Sequence, residues 1–182
     1  MSQLKEIIHE TIQRLKPEIS EKNKNQIEST LVKLLEERQI PQRAFGITDE
    51  VMEKCYKQGY DLFKSGKYLQ AIKVFDALRY LNLADPRYSL ALAACYHYLK
   101  EYEKAASNYM ICRALDPLNP LPSFHLYDCL MKLNQPVLAV DALAQVIACC
   151  QDQPIYQTLY EKALLEKENL MTCLEKWTEK HQ

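Results

Sequence analysis

The chain has 182 residues and a formal net charge of −1, from 23 Lys plus Arg against 24 Asp plus Glu spread evenly along its length, so it has no basic footprint for nucleic acid. With 48% hydrophobic and 26% charged residues it has the composition of a folded globular chain, which argues against wholesale disorder. Only three glycines occur (Gly46, Gly59 and Gly66), too few for a phosphate-binding loop, a doubly wound sheet or a β-sandwich, and an all-α chain is expected.

The N-terminus, MSQLKEIIHETIQRLK, mixes apolar and charged residues and lacks the apolar run of a signal peptide. Residues 3–16 and about 23–38 are predicted as two helices, separated by Pro17 and the polar KNKN. Ile7, Ile8, Ile12 and Leu15 form an apolar stripe at helical spacing, as do Ile27, Leu31, Leu34 and Leu35. Such a stripe needs a covering partner. Two readings stand side by side: a cap on the rest of the molecule, or a dimerisation surface. Pro41 to Gly46 then reads as a linker, closing an N-terminal region over residues 1–47.

From there the chain repeats. Met52, Pro86, Pro120 and Pro154 stand 34 residues apart, and the three prolines follow Asp85, Asn119 and Gln153. Proline suits the first position of a helix, where its missing N–H is not needed, and Asp or Asn suits the cap before it. Ala71, Ala105 and Ala139 share a column, as do Phe75, Tyr109 and Leu143, and Leu78, Cys112 and Val146. Gly59, Ala93 and Tyr127 make another. Each unit reads as two amphipathic helices with a turn between them, at Ser65–Lys67, Lys100–Glu101 and Asn134–Gln135. This pattern is similar to the tetratricopeptide repeat, most closely over GYDLFKSGKYLQAIKVF. It predicts a superhelix of three helix-turn-helix repeats over 48–153, with units at about 52–85, 86–119 and 120–153. Residues 154–182 are predicted to supply a long charged capping helix, in which Trp177, the only tryptophan, is expected to pack rather than to bind.

Chemistry is sparse in this pattern. No Ser or Cys stands beside a His in a recognisable catalytic motif. Cys95 with His97, and His125 with Cys129, are candidate metal pairs, but zinc takes four ligands and neither pair has a C-x-x-C beside it, so no metal or cofactor is expected. The seven cysteines are an odd, irregular set, which fits a reducing cytoplasm, and Cys149–Cys150 reads as core filler. The apolar stretches Tyr88–Leu99 and Val137–Cys150 are shorter than the roughly 20 residues of a membrane span, so direct membrane insertion is not expected.

What remains is a surface. In a tetratricopeptide array the first helix of each unit lines a concave groove through its positions 5, 9 and 12, one helical turn apart. In this chain they are Tyr56, Tyr60 and Phe63, then Leu90, Ala94 and His97, then Phe124, Asp128 and Met131. An aromatic stripe on an open face suits an extended proline-containing peptide, which is already stiff and stacks on tyrosine. Tetratricopeptide clamps for acidic chaperone tails carry Lys and Asn where Tyr56 and Tyr60 stand, which excludes that ligand.

Three phrases, ITDEVMEKCYKQGYDLFKSGKYLQAIKVFDAL, DPRYSLALAACYHYLKEYEKAASNYMICRALDP and FHLYDCLMKLNQPVLA, carry a narrower resemblance. The span from Ile47 to Ala148 resembles the class II chaperones of bacterial type III secretion. The resemblance implies a cytoplasmic bacterial protein without enzymatic activity, often a homodimer through its N-terminal helices. Its partners would be hydrophobic translocator proteins, each held by an extended P-x-L-x-P-like segment, and in part of the family a transcriptional regulator as well. The family's groove positions fall on Tyr56, Tyr60, Phe63, Tyr68 and Tyr109. Phe63 stands where tyrosine is usual and Asp128 where glutamate is usual, and the N-terminal segment matches poorly. A general tetratricopeptide adaptor with a soluble partner would use the same groove.

Overall fold

The computed structural model describes residues 3–13, 20–35, 37–151 and 153–180. Leu15 and Pro17 lie outside the described residues. Ten α-helices and no strand occur among them: α1 (Gln3–Gln13), α2 (Glu21–Leu35), α3 (Pro41–Ala44), α4 (Asp49–Lys64), α5 (Tyr68–Leu81), α6 (Pro86–Tyr98), α7 (Tyr102–Leu115), α8 (Pro120–Lys132), α9 (Pro136–Cys150) and α10 (Gln157–Lys180).

The starts of α4, α6 and α8 follow from their caps. Thr48 Oγ1 accepts from the Val51 N–H at 3.4 Å, Asp85 Oδ1 from Arg87 N–H at 3.0 Å, and Asn119 Oδ1 from Leu121 N–H at 3.1 Å. Pro86 and Pro120 each occupy the first turn, where no N–H is needed. The same helices also end alike. Gly66, Lys100 and Asn134, 34 residues apart, all take the left-handed conformation, with φ of 73°, 62° and 55°. The next residue closes each turn, with Lys67 N–H to Leu62 O, Glu101 N–H to Tyr96 O and Gln135 N–H to Leu130 O, all at 2.9 Å. Glycine takes this φ without steric penalty, whereas Lys100 holds it at a cost of about 1 kcal/mol that the surrounding packing offsets.

Each helix from α4 to α10 packs chiefly on its neighbours in the chain, as in a solenoid. Ala71, Ala105 and Ala139 are fully buried where the helices approach most closely, and Phe75, Tyr109 and Leu143 fill the adjacent column. Five cysteines, including Cys149 and Cys150, are buried among them, and all seven are free thiols. Burial pushes the Cys95 and Cys112 thiols up to about 11, so they behave as small apolar groups.

The ends of the chain depart from expectation. α1 packs on α2, and Ile8 and Ile12 are buried within the chain, so neither is offered as a dimerisation residue; Ile7 stays 54% exposed. The hairpin of α1 and α2 covers Ile8 and Ile12 of that stripe. Pro41 to Gly46 is a helical turn rather than a plain linker, pinned by Gln42, whose amide donates to Asp49. At the other end Ala163, Leu159 and Tyr160 of α10 pack beside Leu143, Val146 and Cys150. Trp177 was expected to pack but is 60% exposed. Leu174 and Glu175 border a small cleft with Val137 at the start of α9.

A methyl group on Gly59 would sit 2.8 Å from Cε1 of the fully buried Phe75 ring. Gly59→Ala should therefore destabilise the chain by about 1 kcal/mol, even after its gain in helix propensity, and lower Tm by roughly 3 °C. Thermal melting followed by circular dichroism checks this, and a Tm at or above the parent value contradicts it.

Candidate functional site

The side of the superhelix formed by α4, α6 and α8 carries two joined clefts. The smaller, of about 150 Å³, is lined by Tyr56, Tyr60, Phe63, Phe75, Leu90, Ala91 and Ala94. The larger, of about 700 Å³, shares Phe63, Leu90 and Ala94 and continues over His97, Tyr98, Lys100, Tyr102, Tyr109, Leu121 and His125. Positions one helical turn apart on α4 and α6 thus converge, because the straight run from cap to left-handed turn keeps those residues on one face.

Aromatic contacts build the wall between the clefts. Phe63 packs edge-on against Tyr68 at 5.5 Å and Tyr98 at 5.3 Å between ring centroids, and Tyr68 stacks on Tyr98 at 5.2 Å. Tyr60 lies nearly parallel to Phe63 at 6.3 Å and is 47% exposed. Tyr68 therefore supports the wall from behind. Tyr98 is a groove residue that the positional pattern overlooks, since it is the last residue of α6, just beyond position 12.

The floor of the larger cleft is polar. His97 Nε2 donates to Asp128 Oδ2 at 2.9 Å, which joins the second unit to the third. His97 Nδ1 then faces the Tyr109 hydroxyl at 3.5 Å and Cys129 Sγ at 3.7 Å. Tyr109 itself is buried and stacks on His125 at 5.4 Å, and burial pushes its hydroxyl pKa up. His125 was considered in sequence only as a metal ligand; here it lies edge-on to His97 at 6.2 Å and lines the cleft. Burial is the main cause that lowers its pKa, the His97 charge adds to it, and Asp128 opposes it.

Phe124 does not line either cleft. It packs with Tyr127 beside the core under α10, and Lys162 Nζ lies 5.0 Å from its ring centroid. The reason is Tyr127, which stands where the other units have Gly59 and Ala93 and whose hydroxyl donates to Glu166 on α10 at 3.1 Å. No group of three or more His, Cys, Asp or Glu side chains is placed to hold a metal ion among the described residues. No described helix is long and apolar enough to cross a membrane.

His125 should titrate below 6.5, the ordinary histidine value. Because the folded state resists its protonation, stability should fall as pH drops from 6.5 towards the lower folded value and level off beneath it. NMR titration of the imidazole checks the sign. His97→Gln should move the His125 pKa upward, and no upward movement would remove the His97 contribution.

No protein-family model matches the chain. The chain is 30% identical over 113 residues to the low calcium response locus protein H of Yersinia pseudotuberculosis, which spans 62% of this chain and 67% of that protein. It is similar to PcrH solved in complex with the chaperone-binding region of PopD, with TM-score 0.66 and 29% identity over 70% of this chain and 96% of that one. It is also similar to the Yersinia enterocolitica type III secretion chaperone SycD solved with a peptide of the translocator YopD, with TM-score 0.66 and 27% identity over 72% and 98% of the two chains. SycD has also been solved in an alternative dimer, matched at TM-score 0.65 and 27% identity over 71% of this chain and 98% of that one. With its tetratricopeptide-like superhelix and aromatic groove, this chain belongs to the class II translocator chaperones of type III secretion.

Proposed function

We propose that this chain is a bacterial cytoplasmic holding chaperone that grips an extended, proline-containing segment of hydrophobic translocator proteins in the groove of α4, α6 and α8. The observation that carries the reading is the pair of joined clefts along Tyr56, Tyr60, Phe63, Leu90, Ala94 and His97, on a fold that PcrH and SycD use to hold translocator peptides. A stiff extended segment loses little chain entropy on docking, and its proline rings stack on exposed tyrosine faces. The smaller cleft has room for one apolar side chain, and the larger takes a longer stretch whose backbone meets the polar floor at His97 and His125.

The work is binding rather than catalysis: a client held by its anchor segment is kept from aggregating or inserting before export. On this reading residues 48–153 bind the client, residues 154–182 close the end of the solenoid, and residues 1–47 pair two copies. The homodimer would use the exposed Ile7, Ile27 and Leu35 of α1 and α2.

Tyr56→Ala and Tyr60→Ala should each weaken client binding by about 2 kcal/mol, roughly 30-fold, with the fold intact. Losses below about 0.5 kcal/mol for both would move the site elsewhere. The direct test is co-expression with membrane-active translocators, scored by which become soluble and copurify at defined stoichiometry. Capture lost in the Tyr56→Ala, Tyr60→Ala double variant establishes the translocator chaperone. Failure to solubilise any such client, with capture of a soluble regulator instead, makes the chain an adaptor.

A further inference from the structure

Arg87 lines neither cleft, yet it is the most heavily bonded side chain near them. Its Nε donates to both oxygens of Asp85 at 3.1 Å, and its Nη2 donates to Asp85 Oδ2 at 2.7 Å and to Glu53 Oε1 at 2.6 Å. Asp85 also caps α6 through the Arg87 N–H, so one carboxylate fixes both the start of the helix and the guanidinium. Glu53 lies on α4, three residues before Tyr56. Burial alone would raise the Asp85 carboxyl, but the hydrogen bonds from Arg87 bring it below its ordinary value.

The guanidinium is thereby held over the Tyr56 ring, 5.2 Å from its centroid. The rings of Phe75 at 5.6 Å and Tyr88 at 5.9 Å also lie against it, the guanidinium is 5.8 Å from the Tyr88 centroid, and Tyr56 borders the smaller cleft. A planar fork with two carboxylate partners is held over the ring by directional hydrogen bonds, which an ammonium on a flexible stem does not reproduce.

We propose that Arg87 is a positioning residue for client recognition, clamped by Asp85 and Glu53 so that its guanidinium fixes the Tyr56 ring in the orientation that shapes the smaller cleft. This rests on the chaperone reading, but the clamp itself is visible without a client. A merely structural tie between α4 and α6 would lower stability and leave the behaviour of the Tyr56 ring and its coupling to binding unaltered.

The test uses the full chain in two arms. In the first, aromatic NMR of the ¹³C-tyrosine-labelled free protein follows the Tyr56 ring. Arg87→Gln and Arg87→Lys should both shift and broaden its signals, and an unaltered Tyr56 spectrum in Arg87→Gln overturns the proposal. In the second, a labelled synthetic peptide of the chaperone-binding region of PopD is titrated. Arg87→Gln should weaken binding about tenfold in the parent chain and by less than about twofold in the Tyr56→Ala background. Equal losses in both backgrounds overturn the proposal. Absence of binding by the parent chain counts against the chaperone reading for that peptide and leaves the first arm to decide the clamp. Should Arg87→Gln fail to fold, Glu53→Ala, which removes the acceptor on α4 and keeps the Asp85 cap, is read by the same two measurements.

Discussion

Close approach of paired helices at a column of small residues is the constraint on which the rest of this structure depends. Ala71, Ala105 and Ala139 are fully buried, and Gly59 leaves no space for even a methyl group against Phe75. Only side chains of that size let two helices of a unit approach closely enough for Phe75 and Tyr109 to reach across and fill the next layer. Once the spacing within a unit is set, stacking of units follows, because each helix buries chiefly against its sequence neighbours. The groove is what stacking leaves uncovered: the first helices stand side by side with one turn-spaced row of residues turned outward.

The third unit shows what happens when that constraint is relaxed. Tyr127 takes the place of the small residue and packs both against the cluster of Ala139 and Ala142 and against that of Leu143 and Val146. It turns towards α10, where its hydroxyl meets Glu166 and its ring meets Phe124. Phe124 is drawn with it out of the groove and under Lys162. The aromatic character of the groove is consequently concentrated on the first two units, and the third contributes Leu121 and His125, while Asp128 lines neither cleft and acts through His97. Hydrogen-bonded links tie successive units on this side, with Glu53 to Arg87 between the first and second and Asp128 to His97 between the second and third. Both are partly exposed, so each contributes little to stability as an ion pair; their directional hydrogen bonds orient the side chains they join.

The repeat was legible in the sequence because its determinants are local and recur at a fixed distance. Pro86 and Pro120 behind their Asp and Asn caps, and the turn after each first helix, are chain-local features that 34-residue spacing makes visible. Even so, the left-handed position at Lys100 carried no signal, since lysine is not a turn former and tertiary packing imposes that conformation. Groove residues followed from helical periodicity where the helix is regular, as at Tyr56, Tyr60, Phe63, Leu90, Ala94 and His97. Periodicity fails at helix ends and where packing turns a side chain. Tyr98 stands on the last residue of α6 and joins the wall only because Tyr68 of α5 offers it a ring face. His125 reaches the cleft because Tyr109 lies flat against it. Ile8 and Ile12 formed a convincing amphipathic stripe, but a stripe reports only that something covers it, and the cover is α2.

A groove built in this way suits holding with release. Its walls are rings already packed on one another, so the site is formed before a client arrives and little ordering entropy is lost on capture. Tyr60 and Tyr98 keep much of their surface in solvent, while Phe75 and Tyr109 beneath them are buried and fixed. Binding therefore covers apolar surface that the solenoid leaves open, without rearranging its core. Because contacts run mainly between neighbouring helices, opening at one inter-unit seam need not unfold the remainder. The links Glu53–Arg87 and His97–Asp128 join successive first helices beside the clefts, so a displacement of one first helix against the next alters the spacing of the rings between them.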